Sequence, residues 1–210
     1  MVIRILEVEN AGDFGKYEKF LSMISNERSE RIERIKSVEA KTVCLMAEVL
    51  LRREIGKALG MKEKDIIFSY TEEGKPFIEN ADYHFSISHT KNVIVFVDSK
   101  SPVGIDIEGI NEPEKSKRRL RVAKRFFTEE EYERVKNASC NNEEFCRIWT
   151  MKEAYVKMKG QGLKIPLNSF NVDNMESEVY YYSTMYKEYG ISVCREGAQP
   201  ESVKLVECGI

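Results

Sequence analysis

The sequence contains no Cys-x-x-Cys pair, only two histidines and one tryptophan, and no apolar run near the ~18 residues that a membrane span needs. Each scarcity removes a class of protein. Neither His84 nor His89 sits in a zinc-type cluster with cysteines, so no zinc site is expected. The five cysteines (Cys44, Cys140, Cys146, Cys194, Cys208) are an odd set, and Met1–Leu6 is too short an apolar run for a signal peptide. Together they lead to the expectation of reduced thiols and a cytoplasmic protein. Thirty-three Lys and Arg against 35 Asp and Glu leave a formal net charge of -2, which gives no reason to expect a nucleic-acid partner. Walker loop and Gly-x-Gly-x-x-Gly fingerprint are both missing, which removes the two standard nucleotide cradles, and no serine-centred elbow appears.

What remains suits one domain or two small ones: 210 residues, of which 42% are hydrophobic and 10% aromatic. Val2–Val8 is β-branched and reads as a strand, and Phe20–Ile35 as a charged helix with Arg28, Arg31 and Arg34 along one side. By themselves those arginines read as a solvated face, and the functional reading is an anion contact. Glu39–Leu59 repeats its apolar residues at helical spacing and is closed by Gly60. Asp65–Tyr70 reads as a short strand, and Tyr83–Ser88 and Val93–Val97 as a hairpin whose tip is 89–92. A break at Lys100–Pro102 divides the chain into 1–101 and 102–210, each with a helix followed by hairpin strands. Strands are also expected near Phe170–Val172, Glu178–Ser183 and Ile191–Cys194, and no pattern after Gly197.

Two stretches carry the chemistry. Val103–Glu108 alternates, so Val103, Ile105 and Ile107 face one way while Gly104, Asp106 and Glu108 face the other. Two carboxylates on one strand face repel unless both meet water or a cation neutralises them, and Gly104 leaves room beside them. The helix ending at Gly160 places Trp149, Glu153 and Lys157 on one stripe. Glu153 and Lys157 read as a surface pair or, with Asp106 and Glu108, as part of a hard-cation and phosphate site. Thr128 and Glu131 form a capping box for the helix between.

In this order and spacing, Gly104-Ile105-Asp106-Ile107-Glu108, Phe126-Phe127-Thr128-Glu129-Glu130-Glu131 and Trp149-Thr150-Met151-Lys152-Glu153-Ala154-Tyr155-Val156-Lys157 resemble the signature of the 4'-phosphopantetheinyl transferases of the surfactin-synthetase-activating type. Gly74-Lys75-Pro76 and Phe85-Ser86-Ile87-Ser88-His89-Thr90 resemble further motifs of that family. The resemblance implies an α+β fold of two similar halves about a pseudo-two-fold axis. The N-terminal half (1–101) would carry the basic residues that bind coenzyme A, and the C-terminal half (102–210) the metal and catalytic residues, with the site in the cleft between. It implies Mg²⁺-dependent (or Mn²⁺-dependent) transfer of the phosphopantetheine arm of coenzyme A to a serine of an apo acyl or peptidyl carrier protein, in fatty-acid, polyketide or nonribosomal-peptide synthesis. Asp106, Glu108 and Glu153 would be metal ligands. Glu153, Lys157 and Glu131 would be catalytic. Arg28, Arg31, Lys41, Lys75, Pro76, Ser88, His89, Thr90, Asp106, Lys152 and Lys157 would contact coenzyme A. Lys41 stands near where the family has an arginine, a point charge in place of a fork. Carrier docking is expected near Phe127–Cys146, with a monomeric enzyme and neither nucleic acid nor membrane as partner. A non-catalytic carrier binder and a Mg²⁺-dependent phosphohydrolase remain as alternative readings.

Overall fold

A computed structural model describes residues 1–209 and every side chain among them except those of Pro113 and Leu163. The first strand, β1 (Val2–Glu7), is followed by 3-10 turns and then by a short helix, α1 (Asn26–Glu33). The continuous helix expected over Phe20–Ile35 is broken at Ser25, whose extended backbone and side chain cap Arg28 N in α1. The long helix α2 (Val38–Leu59) ends on Gly60 in the left-handed conformation (φ 68°), as the apolar spacing predicts. The expected strand over Asp65–Tyr70 is reduced to β2 (Ser69–Tyr70), paired with β3 (Pro76–Phe77) across a turn at Gly74.

The hairpin is formed by β4 (His84–Thr90) and β5 (Val93–Ser99). Its turn is only Lys91-Asn92, with Lys91 at φ 49°, so His89 and Thr90 belong to the strand and not to the tip. After Pro102 come β6 (Val103–Gly109), α3 (Ser116–Phe126), α4 (Glu129–Asn137) and α5 (Asn141–Lys159). The chain closes with β7 (Val179–Tyr186), β8 (Tyr189–Glu196) and β9 (Lys204–Glu207). Residues 170–172 form no strand. Phe170 instead turns its carbonyl to a buried lysine. β9 went unpredicted because its four residues are exposed and pair parallel to β1 at a sheet edge, which requires no alternation.

The α+β class holds. The main sheet runs β4-β5-β1-β9 and the second β6-β8-β7. Within each, the strand that precedes the helices pairs antiparallel with the last strand of the hairpin that follows. The sheets share one core: Ile3, Ile5, Val93, Val95 and Val97 pack against Val103, Ile105, Ile107, Ile191 and Val193. α2 covers the outer face of the first sheet through Val43, Met46, Leu50 and Phe96, and α5 the outer face of the second through Ala154, Met158 and Cys194. At the seam, Ile105 N donates to Ser86 Oγ, which brings β4 against β6.

Candidate active site

Gly104 sets the geometry. A Cβ there would fall on the Ala154 carbonyl oxygen and lie 2.5 Å from Met158 N. The space read beside the carboxylates is filled by α5 itself, which presses its backbone on β6. The helix therefore brings Glu153 and Lys157 over the strand face that carries Asp106. Lys157 Nζ donates to Asp106 Oδ1 (2.6 Å) and to Ser88 Oγ (2.9 Å), and Ser88 Oγ donates to the same Asp106 oxygen (2.7 Å). Asp106 is 6% exposed, so this triangle joins β4, β6 and α5 with little water around its carboxylate.

Glu153 stands one turn before Lys157. Burial first, then the Asp106 charge, push its carboxyl above the usual range, and Lys157 opposes them. Burial and the Lys157 charge lower the His89 imidazole, with Asp106 opposing. His89 leaves β4 on the opposite face from Ser88 and, with Thr90, borders a shallow groove against Ala40 and Val43 of α2. A cavity of about 310 Å³ opens between α5 and the N-terminal half, lined by Gly74, Lys75, Pro76, Phe85, Glu153 and Lys157 among others. Lys75 donates to the carbonyls of Val103 and Met158 (3.3 Å each), and burial brings its pKa down to about 8.

Other expected residues lie elsewhere. Glu131 and Lys152 are both fully buried and form an ion pair of 2.9 Å. Glu131 also accepts from Thr128 N and Val172 N, and Lys152 donates to the carbonyls of Leu167 and Phe170. This departs from two expectations: the Glu131 oxygens are engaged by Lys152, Thr128 N and Val172 N, and the Lys152 ammonium points into the fold and lines no part of the Glu153 cavity. Both are held inside the fold because a buried charge persists only when paired. Arg28 and Arg31 line a separate basic groove with Arg52, Lys64 and Tyr70, where Arg28 Nε is 3.3 Å from Glu48. That groove shares no lining residue with the Glu153 cavity. Lys41 sits with its ammonium 5.4 Å from the Phe14 ring centre.

Glu108 does not join Asp106 and Glu153. Its Oε1 accepts from Arg119 Nη2 (3.0 Å), an α3 guanidinium that is 4% exposed. Arg119 escaped notice in the sequence because the run around it is so basic. Its signal is the i, i+4 spacing to Ala123, which puts both on the buried side of α3. Among the described residues no three His, Cys, Asp or Glu side chains gather as a metal-ligand set. The donor chemistry nonetheless fits a hard divalent cation. The Asp106 charge acts on Glu153, Lys157 already offsets part of it, and Glu108 carries a second oxygen on the same strand face.

Family models match the chain over two adjoining spans: "4'-phosphopantetheinyl transferase, N-terminal" over residues 13–101 and "4'-phosphopantetheinyl transferase superfamily" over residues 102–206. The 4'-phosphopantetheinyl transferase gsp of Aneurinibacillus migulanus is 37% identical over 146 residues, 69% of this chain and 59% of its own length. The 4'-phosphopantetheinyl transferase Sfp of Bacillus subtilis (strain 168) is 38% identical over 131 residues, 61% of this chain and 56% of its own length. The match to the 4'-phosphopantetheinyl transferase psf-1 of Bacillus pumilus is longer, 30% identical over 181 residues, 78% of this chain and 76% of the relative. The chain thus spans under two thirds of the length of the first two relatives. A solved holo-(acyl-carrier-protein) synthase from Bacillus anthracis, in complex with CoA (3',5'-ADP), aligns at 25% identity and a TM-score of 0.38 over 47% of this chain and 97% of that one.

Proposed function

We propose a function from one premise: this chain belongs to the 4'-phosphopantetheinyl transferase superfamily. It transfers the phosphopantetheine arm of coenzyme A to a serine hydroxyl of an apo carrier protein and releases 3',5'-ADP. One observation supports this most directly. Lys157 and Glu153, from one face of α5, converge with Asp106 of β6 and Ser88 of β4 beside a cavity open to a substrate. Residues 1–101 and 102–210 act as two halves whose seam is the site.

The cavity beside Glu153 and Lys157 takes the reacting end of coenzyme A, with Lys75 and Pro76 on its wall. Asp106 and Glu153 would hold Mg²⁺, which when bound supplies positive charge against the pyrophosphate, and Glu108 would join them by turning from Arg119. The carrier serine oxygen forms a bond to the phosphorus that bears the pantetheine arm. The bond from that phosphorus to the bridging oxygen breaks, and the electron pair leaves on 3',5'-ADP. Glu153 accepts the serine proton. Its raised carboxyl makes it a stronger base than a solvated glutamate, and that favours the task near neutral pH. Lys157 places its ammonium where negative charge grows on the departing oxygen. Arg28 and Arg31, in their own groove, meet the 3'-phosphate end of the donor rather than its reacting end.

The carrier approaches over α3, α4 and the start of α5. Lys117, Arg118, Arg121, Lys124 and Arg125 are exposed on α3 and make no ion pair among the described residues, a surface suited to an acidic partner. Five unpaired cysteines fit a reducing cytoplasm, and no helix among the described residues is long and apolar enough to cross a membrane. The enzyme works as a monomer that meets its carrier transiently.

The test is one incubation of the chain with coenzyme A, Mg²⁺ and an apo carrier protein, read by intact mass. A carrier heavier by one phosphopantetheine arm is expected. A carrier of unchanged mass overturns the reading, and coenzyme A cleaved without carrier would turn it into a hydrolase. Glu153→Gln is expected to reduce turnover by about 10²–10³-fold. Full turnover in that variant would remove Glu153 from its role.

A further inference from the structure

Two serines, Ser86 and Ser88, leave β4 on one face, two residues apart. Their hydroxyls are spent differently. Ser88 gives its proton to Asp106 Oδ1 (2.7 Å) and accepts from Lys157 Nζ (2.9 Å). Ser86 only accepts. Ile105 N donates to its Oγ (3.1 Å), and among the described residues no acceptor takes the Ser86 proton. The residue is 6% exposed, so bulk water has little access to that proton. A buried hydroxyl is both donor and acceptor, and leaving its donor unmet is costly. Ser86 also lines the cavity of about 310 Å³ that Glu153 and Lys157 border.

The direction of that hydroxyl follows from the seam. β4 and β6 lie in different sheets, so the edge of β6 that faces β4 has no strand to pair with. Side chains from 1–101 meet its backbone instead: Lys75 Nζ donates to Val103 O (3.3 Å), and Ser86 Oγ accepts from Ile105 N. A lone pair of Ser86 Oγ is thus committed to β6, and its proton turns away from β6 into the cavity. Lys75 is fixed on the same wall by the Val103 and Met158 carbonyls and makes no ion pair among the described residues. The acids bordering the cavity are Glu73, which is paired with Lys164, and Glu153. An unspent O–H beside an uncompensated ammonium makes a wall for an anion.

We infer that Ser86 binds the donor directly: its hydroxyl donates to a phosphate oxygen at the reacting end of coenzyme A, beside Lys75 and Lys157. The inference rests on the coenzyme A reading of this cavity given under the proposed function, and adds a contact to it. A hydroxyl whose oxygen is already fixed gives up little freedom when a ligand arrives, so the bond adds to affinity with little ordering cost. A hydrogen bond to a charged oxygen is worth about tenfold or more in binding.

Threonine and valine share a shape and differ by the hydroxyl, and both suit a strand, so Ser86→Thr and Ser86→Val isolate it. Coenzyme A is titrated calorimetrically into wild type and both variants at one Mg²⁺ concentration. Pantetheine, the arm without its phosphates, is titrated into the same proteins by NMR. Ser86→Thr is expected to bind coenzyme A within about threefold of wild type, and Ser86→Val about tenfold or more weakly than Ser86→Thr. Pantetheine should not distinguish the two variants. A coenzyme A affinity in Ser86→Val within about twofold of Ser86→Thr, half a kcal/mol or less, overturns the inference. So does an equal loss for both ligands, which would mark Ser86 as a seam residue that acts through β6. Should either variant fail to fold, or Ser86→Thr bind coenzyme A more than about threefold weaker than wild type, Ser86→Ala against wild type decides by the same two criteria. Wild-type chain that binds no coenzyme A overturns the proposed function itself, a result distinct from these.

Discussion

Replacing Gly104 with alanine tests the architecture of the site more sharply than replacing any charged residue. The added Cβ would fall on the Ala154 carbonyl oxygen and 2.5 Å from Met158 N, both backbone atoms of α5. Carbon needs about 3.5 Å from such a neighbour, so the helix must retreat by about 1 Å at Met158 (3.5 − 2.5 = 1.0) and by more at Ala154. Neither side can turn away as a flexible side chain would. Overpacking a tight interface costs about 1–3 kcal/mol, and a backbone-to-backbone clash belongs at the upper end. At a urea slope of about 2 kcal/mol per M, 3 kcal/mol moves the unfolding midpoint down by about 1.5 M. Function should suffer further. Glu153 and Lys157 ride on α5 while Asp106 stays on β6, and a 1 Å misplacement of reacting groups can cost about 10²-fold. Gly190→Ala is the control. It pairs with Glu108 on the neighbouring strand, but its Cβ would meet only Cys146 Cβ at 3.7 Å and Ile110 Cδ1 at 3.8 Å, ordinary contacts. Urea unfolding and carrier-modification kinetics are measured on both. If Gly104→Ala keeps its midpoint within 0.3 M of wild type (roughly the uncertainty of such a midpoint) and its kcat/KM within about threefold, α5 does not depend on this contact and the account of the site fails.

Lys152→Met should lose about 3–5 kcal/mol of stability by leaving Glu131 as an unpaired buried charge. Its kcat/KM per folded molecule should stay within about fivefold, whereas a rise in the coenzyme A KM with stability intact would restore Lys152 to the substrate. Reversing two exposed α3 cations (Arg121→Glu with Lys124→Glu) is expected to raise the KM for an acidic carrier about tenfold, leave kcat near wild type and flatten the salt dependence of kcat/KM. Unchanged carrier KM in low salt would show that the carrier docks elsewhere. For Lys75, a methyl-label NMR titration should give a midpoint of about 8 in the free chain and a higher one with coenzyme A, whose phosphates favour the ammonium. Its folded pKa lies below the unfolded 10.5, so the unfolded state binds more protons between pH 8 and 10.5. The Lys75 contribution to stability therefore rises with pH through that window, and Lys75→Met should abolish the rise.

Elements that rest on local periodicity were legible in the sequence: α2 from its apolar spacing and Gly60, α4 from its capping box, β6 from strict alternation. Features decided by distant partners were not. β9 exists because β1 has a free edge, and nothing in Lys204–Glu207 announces it. The site divides the same way. Asp106, Glu153 and Lys157 could be placed on faces, but whether the faces meet depends on Gly104, whose missing side chain reads as space for a ligand and proves to be space for a helix. Glu131 and Lys152 sit in motifs beside Asp106, Glu153 and Lys157, and only burial shows that they answer each other. Charge pattern alone could not separate the lysine that serves a buried pair from the one that serves the cavity five residues on (157 − 152 = 5).

The same helix resolves that ambiguity by rotation. At 3.6 residues per turn, Lys152 and Lys157 point about 140° apart around α5 (five steps of 100° wrap past a full turn), so one ammonium faces inward where the other faces the seam. Three contacts fix which is which. Trp149 stacks on Phe145 (5.7 Å between centres) and leans on Phe126 and Phe127. Lys152 is pinned by Glu131 and two carbonyls, and Ala154 and Met158 lie against Gly104. A rotation of α5 by one residue, 100°, would expose Lys152 and carry Lys157 away from Asp106 in a single motion. It would lose a buried ion pair, an aromatic stack and a backbone contact together. The charges of the site are therefore positioned by packing that makes no contact with substrate. It follows that the apolar and buried residues of α5 set the place of Glu153 and Lys157 as strictly as their own side chains do.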